Sequence, residues 1–354
     1  MHFHNIVFYQ CSNNYKNLLF YSSIIFSKGI TQMNTPEHHD RLDNFPISFF
    51  SIVMGLSGLT IAWEKAQHIY GANIGISKIL LGATSLVFIG LLSLYALKIL
   101  KHSSSVKKEL KHPIKLSFFP SISISFLLLS IAFLSVNPSI SRPLWMIGTT
   151  LHLGFTLFVI SSWMHHEHFQ VNHINPAWFI PAVGNVLVPI AGVVLGYPDI
   201  SWFFFSIGML FWIILLTIFF NRMLFHDPLI GHLLPTLFIM IAPPAVGFIA
   251  YMRLNGGLDN FAYFLYFAAL FLTMLLLSQA RRFISLPFFL SWWAYSFPLA
   301  AITIASFAMF EKTEKAAYLW IASGLLGLVT IIVGIIIVFT LKAIRNKRIC
   351  VAEG

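Results

Sequence analysis

Histidine offers this sequence its most obvious chemistry. The tract His165-His166-Glu167-His168, with His173 just beyond, has the residue types of a transition-metal site. Zinc or a similar ion needs three or four such ligands converging on one point. No second cluster accompanies the tract, so a solvated loop is the plainer reading and no metal is expected. His152 stands by itself in an apolar stretch. It has the chemistry to relay protons, but a hydrogen-bonded packing role is the simpler assignment. Neither Gly-x-x-x-x-Gly-Lys nor His-Glu-x-x-His occurs, so phosphate-loop and zinc-protease chemistry have no carrier. Cys11 and Cys350 sit near the two termini, which supports neither a disulfide framework nor a zinc site. No catalytic constellation remains, so neither an enzyme nor a cofactor is expected.

What chemistry there is must be positioned by very apolar elements. The 354 residues are 58% hydrophobic and only 10% charged, against roughly 25% charged residues in a soluble domain. Uninterrupted apolar runs of about 20 residues read as membrane spans, and their continuity selects helices over a barrel. The formal net charge of +10 reflects basic loops between spans and implies no nucleic-acid partner.

The expected fold is an all-α integral membrane protein with about ten transmembrane helices, near 46–66, 78–100, 117–136, 143–163, 177–196, 200–220, 232–251, 262–281, 287–309 and 316–343. Residues 1–45 read as a poorly ordered cytoplasmic extension, 46–343 as the membrane domain and 344–354 as a basic cytoplasmic tail. Lys101, Lys107, Lys108, Lys111 and Lys115 follow span 2, with Lys98 just before them, Arg281 and Arg282 follow span 8, and Lys342, Arg345, Lys347 and Arg348 follow span 10. These clusters fall on one side, which the positive-inside rule makes cytoplasmic, together with both termini. Most tryptophans, including Trp63, Trp145 and Trp320, sit near span ends as interfacial anchors.

Proline placement divides the spans. Pro120, Pro181, Pro189, Pro235, Pro243, Pro244 and Pro298 all fall inside odd-numbered spans. The even spans have none in their interiors, Pro143 being read as opening span 4. Proline removes a backbone donor and bends the helix, and the freed carbonyls need other partners. Span 1 carries Gly55 and Gly58 instead. The pattern predicts five hairpins, each pairing a kinked inner helix with a straighter outer one around a central pore. Candidate pore-lining residues are Ser48, Ser51, Gly55, Pro120, Asn185, Pro189, Pro243, Ser296 and Pro298. No Asp or Glu lies deep inside a span, so neither the acidic rings of cation channels nor a carboxylate proton relay is visible. Hydroxyls, kinked backbone and a basic mouth favour a weakly binding path for small inorganic or organic anions.

Several segments are more specific. They are Phe45-Pro-Ile-Ser-Phe-Phe with Gly55-Leu-Ser-Gly58, Asn175 to Pro189, Phe225-His-Asp-Pro228, Leu234 to Gly247, and Trp292-Trp-Ala-Tyr-Ser-Phe-Pro298. Through them residues 45–342 resemble the tellurite-resistance/dicarboxylate transporter family, which includes bacterial TehA and the plant guard-cell slow anion channels. The resemblance implies a ten-helix fold of five hairpins, a homotrimer in the lipid of the cell inner (plasma) membrane, and a gating phenylalanine that maps onto Phe297. It also implies passage of chloride, nitrate or similar anions, with C4-dicarboxylate, malate or tellurite transport as the alternative. Ile47, Ser48 and Phe49 replace the family's commoner Thr-Gly-Tyr, which leaves the pore width near Ser48 open.

Overall fold

The computed structural model describes residues 41–72, 74–165 and 169–350. The His166-Glu167-His168 part of the histidine tract, residues 1–40 of the expected extension and 351–354 of the expected tail lie outside them. The described elements are all helical, with no strand among the described residues. Among the described residues nine helices are long and apolar enough to cross a membrane: α1 Ile47–Tyr70, α2 Ile76–Lys101, α3 Lys115–Phe133, α4 Pro138–His165, α6 Pro198–Phe225, α7 Gly231–Asn255, α8 Asn260–Leu277, α9 Leu290–Thr313 and α10 Ala316–Arg345. The tenth expected span, α5 at Pro176–Gly192, is apolar but shorter.

Local chemistry sets the boundaries. α1 stops at Gly71, whose φ of 62° is left-handed and lets the Ala72 amide donate to the Gln67 carbonyl at 3.0 Å. α8 starts on Asp259, whose carboxylate accepts from the Ala262 amide at 2.9 Å. The Tyr251 hydroxyl also donates to Asp259, at 2.6 Å. These bonds hold the Asp259 carboxyl below its usual range, the tyrosine contributing most.

The odd helices form the inside. In α1, α3, α7 and α9 at least 72% of an apolar 18-residue stretch is buried, against at most 39% in α2, α4, α6, α8 and α10. Every residue from Phe179 to Gly192 of α5 is buried as well. Each inner helix packs on the outer helix that follows it, giving five hairpins. The inner helices also touch in sequence, α1 to α3, α3 to α5, α5 to α7, α7 to α9, and α9 back to α1. The ring of five is therefore closed. The apolar residues exposed on α2, α6 and α10, among them Leu86, Leu210 and Ile331, face outward as a lipid-contacting surface requires.

One expectation needs correction. α4 begins at Pro138, five residues earlier than the apolar run implied, so Pro143 lies inside an outer helix. As the sixth residue it lies past the four amides that have no intrahelical acceptor, so it removes the bond to the Ser139 carbonyl, near the start of the helix rather than in its middle. The contrast between inner and outer helices holds over the deeper turns.

Small residues let inner helices approach one another and their outer partners. A Cβ at Gly55 would overlap the Ser296 hydroxyl and stand 3.0 Å from the Trp293 ring. One at Gly192 would come within 2.5 Å of the Ser201 hydroxyl and 2.8 Å of the Trp145 indole. Close helix approach of this kind is the usual use of glycine in a membrane, where helix packing rather than hydrophobicity drives association.

Candidate functional site

Each inner helix opens irregularly. Short 3₁₀ turns occupy Ile47–Phe49, Lys115–Phe118, Pro176–Trp178, Gly231–Ile241 and Leu290–Tyr295 before the α-helix is established. Prolines explain much of this. Pro235 sits inside its 3₁₀ segment, Pro120 and Pro243 stand within the first two residues of the α-helix that follows, and Pro298 is the third residue of its own. A proline cannot donate to the preceding turn, so the chain tightens there. The five 3₁₀ turns also contact one another around a closed circle.

They surround a cavity of about 1210 Å³. All five inner helices contribute to its wall, for example through Met54, Phe118, Val183, Ile239 and Phe297. Because these are helix N-terminal segments, the positive ends of five helix dipoles point toward the space. Ser48 and Ser51 bring hydroxyls to it, although the Ser51 hydroxyl donates to the Ser48 carbonyl at 2.6 Å.

Phe297 lies on this wall beside Pro298. It is 6% exposed and sits one residue after the switch from 3₁₀ to α-helix. Gly58 of α1 lies against it. Without a side chain at Gly58, the Phe297 ring can sit flush on the α1 backbone.

Ser48, Ser51, Phe297 and Pro298 thus share one cavity, while the remaining candidates lie outside its lining. Gly55 and Ser296 face each other across the α1–α9 contact, with the Ser296 hydroxyl donating to the Trp293 carbonyl at 2.5 Å. Asn185 turns toward α4, its amide donating to the Pro181 carbonyl at 2.7 Å and to the Thr156 hydroxyl at 3.1 Å. Pro120, Pro189 and Pro243 are buried in α3, α5 and α7. His152 completes the same buried polar layer. Its Nδ1 is 2.8 Å from the Ser123 hydroxyl and its Nε2 is 3.0 Å from the Pro181 carbonyl. It takes the bonded packing role rather than facing the cavity. His165 is exposed against the Ser161 carbonyl, and no group of three metal-ligating side chains occurs among the described residues.

The rim carries a feature that sequence reading missed. Lys98, in the last turn of α2, is only 1% exposed. Its ammonium lies 3.1 Å from a Glu109 oxygen and donates to the Phe45 carbonyl at 2.8 Å. The Tyr95 hydroxyl donates to the other Glu109 oxygen at 2.9 Å. The short helix Ser103–Lys111 folds back to deliver Glu109. Tyr95 and Lys98, three apart on one helix face, were the available signal, but nothing in the sequence brings Glu109 to them. Lys98, Lys108, Lys115, Lys342 and Arg348 line the cavity against the carboxylates of Asp43 and Glu109 alone. The mouth is therefore positive.

A family model described as "SLAC1: Voltage-dependent anion channel" matches residues 44–341. The S-type anion channel SLAH2 of Arabidopsis thaliana is 27% identical over 281 residues, covering 77% of this chain and 54% of the relative. The chain thus spans about half the length of that protein, and 42% of the related SLAH3. The tellurite resistance protein TehA homolog of Haemophilus influenzae is 29% identical over 272 residues, covering 75% of this chain and 81% of the relative. The uncharacterized transporter MJ0762 of Methanocaldococcus jannaschii is 27% identical over 290 residues, covering 75% and 84%.

Proposed function

The chain belongs to the SLAC1 voltage-dependent anion channel family, and from that premise we propose that it is a passive channel for small anions such as chloride and nitrate, closed at rest by Phe297. The observation that carries this reading is the placement of Phe297 on the wall of a cavity to which all five inner helices contribute. A bulky apolar ring on a pore axis obstructs ions sterically and by dewetting. Below the mouth the lining is hydroxyl, backbone and hydrocarbon, so bound anions are held weakly and selectivity follows their dehydration cost. The positive rim raises the local anion concentration. The basic end is the cytoplasmic one in this reading, both termini lie there, the bilayer is the cell inner membrane, and three copies assemble side by side.

The test is electrical. Purified protein in planar bilayers under a chloride gradient should pass a current that reverses near the chloride equilibrium potential. A reversal near the cation potential would sink the proposal.

One observation favours a second reading, a carrier for C4-dicarboxylates or tellurite-like oxyanions. The buried Lys98–Glu109 pair at the rim is an ionisable couple of the kind that proton-linked carriers use. Saturable malate uptake that follows the proton gradient, without unitary currents, would establish the carrier in place of the channel.

A further inference from the structure

Arg222 lies outside the vestibule, in the last turn of the outer helix α6. It is 3% exposed. Its Nε donates to the Val171 carbonyl at 3.1 Å, tying α6 to the 3₁₀ turn Val171–His173. Its Nη1, however, has no hydrogen-bond acceptor. Among the described residues no carboxylate stands at ion-pair distance from it. A guanidinium offers five donors in a flat fork, and a buried donor left unmet, as at Nη1, is costly unless an acceptor such as an anion completes it.

The same side chain forms part of a small pocket of about 180 Å³, with Val171, Asn172, His226 and Asp227 as its other walls. A water molecule takes about 30 Å³ of liquid, so the space is large enough for a phosphate group. Asn172 and His226 stand at the exposed rim and supply further donors. On the same final turn Leu224 and Phe225 are 71% and 73% exposed. In a membrane helix such residues face acyl chains, so the pocket opens where lipid headgroups lie.

We propose that Arg222 and its pocket bind a phosphate-bearing anion, and that the phosphate comes from an anionic phospholipid headgroup. Planar, bidentate recognition of phosphate is what arginine does better than lysine. Asp227 partly offsets the arginine's charge, which favours a singly charged phosphodiester over a free dianion. The site would fasten the α4–α5 loop and the end of α6 to the bilayer surface.

The experiment uses the full chain purified in detergent, titrated with phosphatidylglycerol and separately with inorganic phosphate, with bound species counted by native mass spectrometry. Arg222→Gln is the direct variant, but it also removes the bond to Val171. Asn172→Glu is the second, because it places a carboxylate on an exposed rim and leaves Arg222 intact. The expected result is retained phosphatidylglycerol in the wild type and roughly tenfold weaker retention in Asn172→Glu. Tight inorganic phosphate with no retained lipid, lost in the same variant, would keep the site and assign it a soluble source. Equal retention of both probes by wild type and Asn172→Glu would overturn the proposal, leaving Arg222 as a clamp on the loop.

Discussion

Gly58 of α1 lies directly against Phe297 of α9: a Cβ placed on Gly58 would stand 3.3 Å from the phenyl ring and 3.6 Å from the Phe297 Cα. It would also come within 3.0 Å of the Ala300 methyl. Ring position and helix spacing are therefore coupled at this point. Phe297→Ala should increase anion conductance, since it removes a phenyl ring from the cavity wall. Gly58→Ala should reduce it by wedging the ring toward the axis, at an overpacking cost of about 1–3 kcal/mol. Paired bilayer recordings of wild type and both variants check this. Unchanged current in well-folded Phe297→Ala protein removes the gate.

The buried rim pair makes a prediction about stability. Lys98→Met strands the Glu109 carboxylate, and Glu109→Leu strands the Lys98 ammonium. Each should be strongly destabilising, about 3–5 kcal/mol by comparison with other buried pairs. The double variant should recover most of that loss, because neither charge is then left alone. Thermal unfolding in detergent measures all four corners of the cycle. Strictly additive losses would mean that the two side chains do not depend on each other.

How much of this was legible in the sequence depends on what each residue's signal reports. The division into inner and outer helices was readable because proline favours irregular helix starts, and Pro120, Pro235, Pro243 and Pro298 stand in or beside the 3₁₀ segments that open inner helices. Pro143 misled because an apolar run marks where hydrophobicity begins, while the helix had already started at Pro138. Asn185 announced only that it needs partners. Which way it turns depends on the rotation of α5 against α4, and it meets Thr156. The Lys98–Glu109 pair was invisible for a different reason. It exists because Ser103–Lys111 folds back beneath α2, and no periodicity encodes that direction.

The buried layer around His152 should be sensitive to volume. A Cβ on Gly184 would overlap the imidazole ring itself, which is fixed on both sides by Ser123 and the Pro181 carbonyl. The ring has no free rotamer to retreat to. Gly184→Ala should lower the folded yield sharply, and adding His152→Ala should restore part of it by vacating the space. Size-exclusion profiles of the two variants would show this. If Gly184→Ala behaves like wild type, the α4–α5 contact is looser than these distances require.

The positive rim makes the last prediction, and its signature is ionic strength. Lys108 and Arg348 line the cavity beside Lys98, Lys115 and Lys342, and they act on a passing anion through its concentration at the mouth, not by direct coordination. Such an effect is screened over about 8 Å at physiological salt and reaches about 30 Å at 0.01 M. Lys108→Gln with Arg348→Gln should therefore reduce conductance clearly in dilute chloride and hardly at all in concentrated chloride. Phe297→Ala should raise conductance at both, because steric closure does not depend on screening. Conductance measured against chloride concentration separates the two mechanisms. A loss in Lys108→Gln/Arg348→Gln that persists undiminished in concentrated salt would mean that these side chains bind the anion directly.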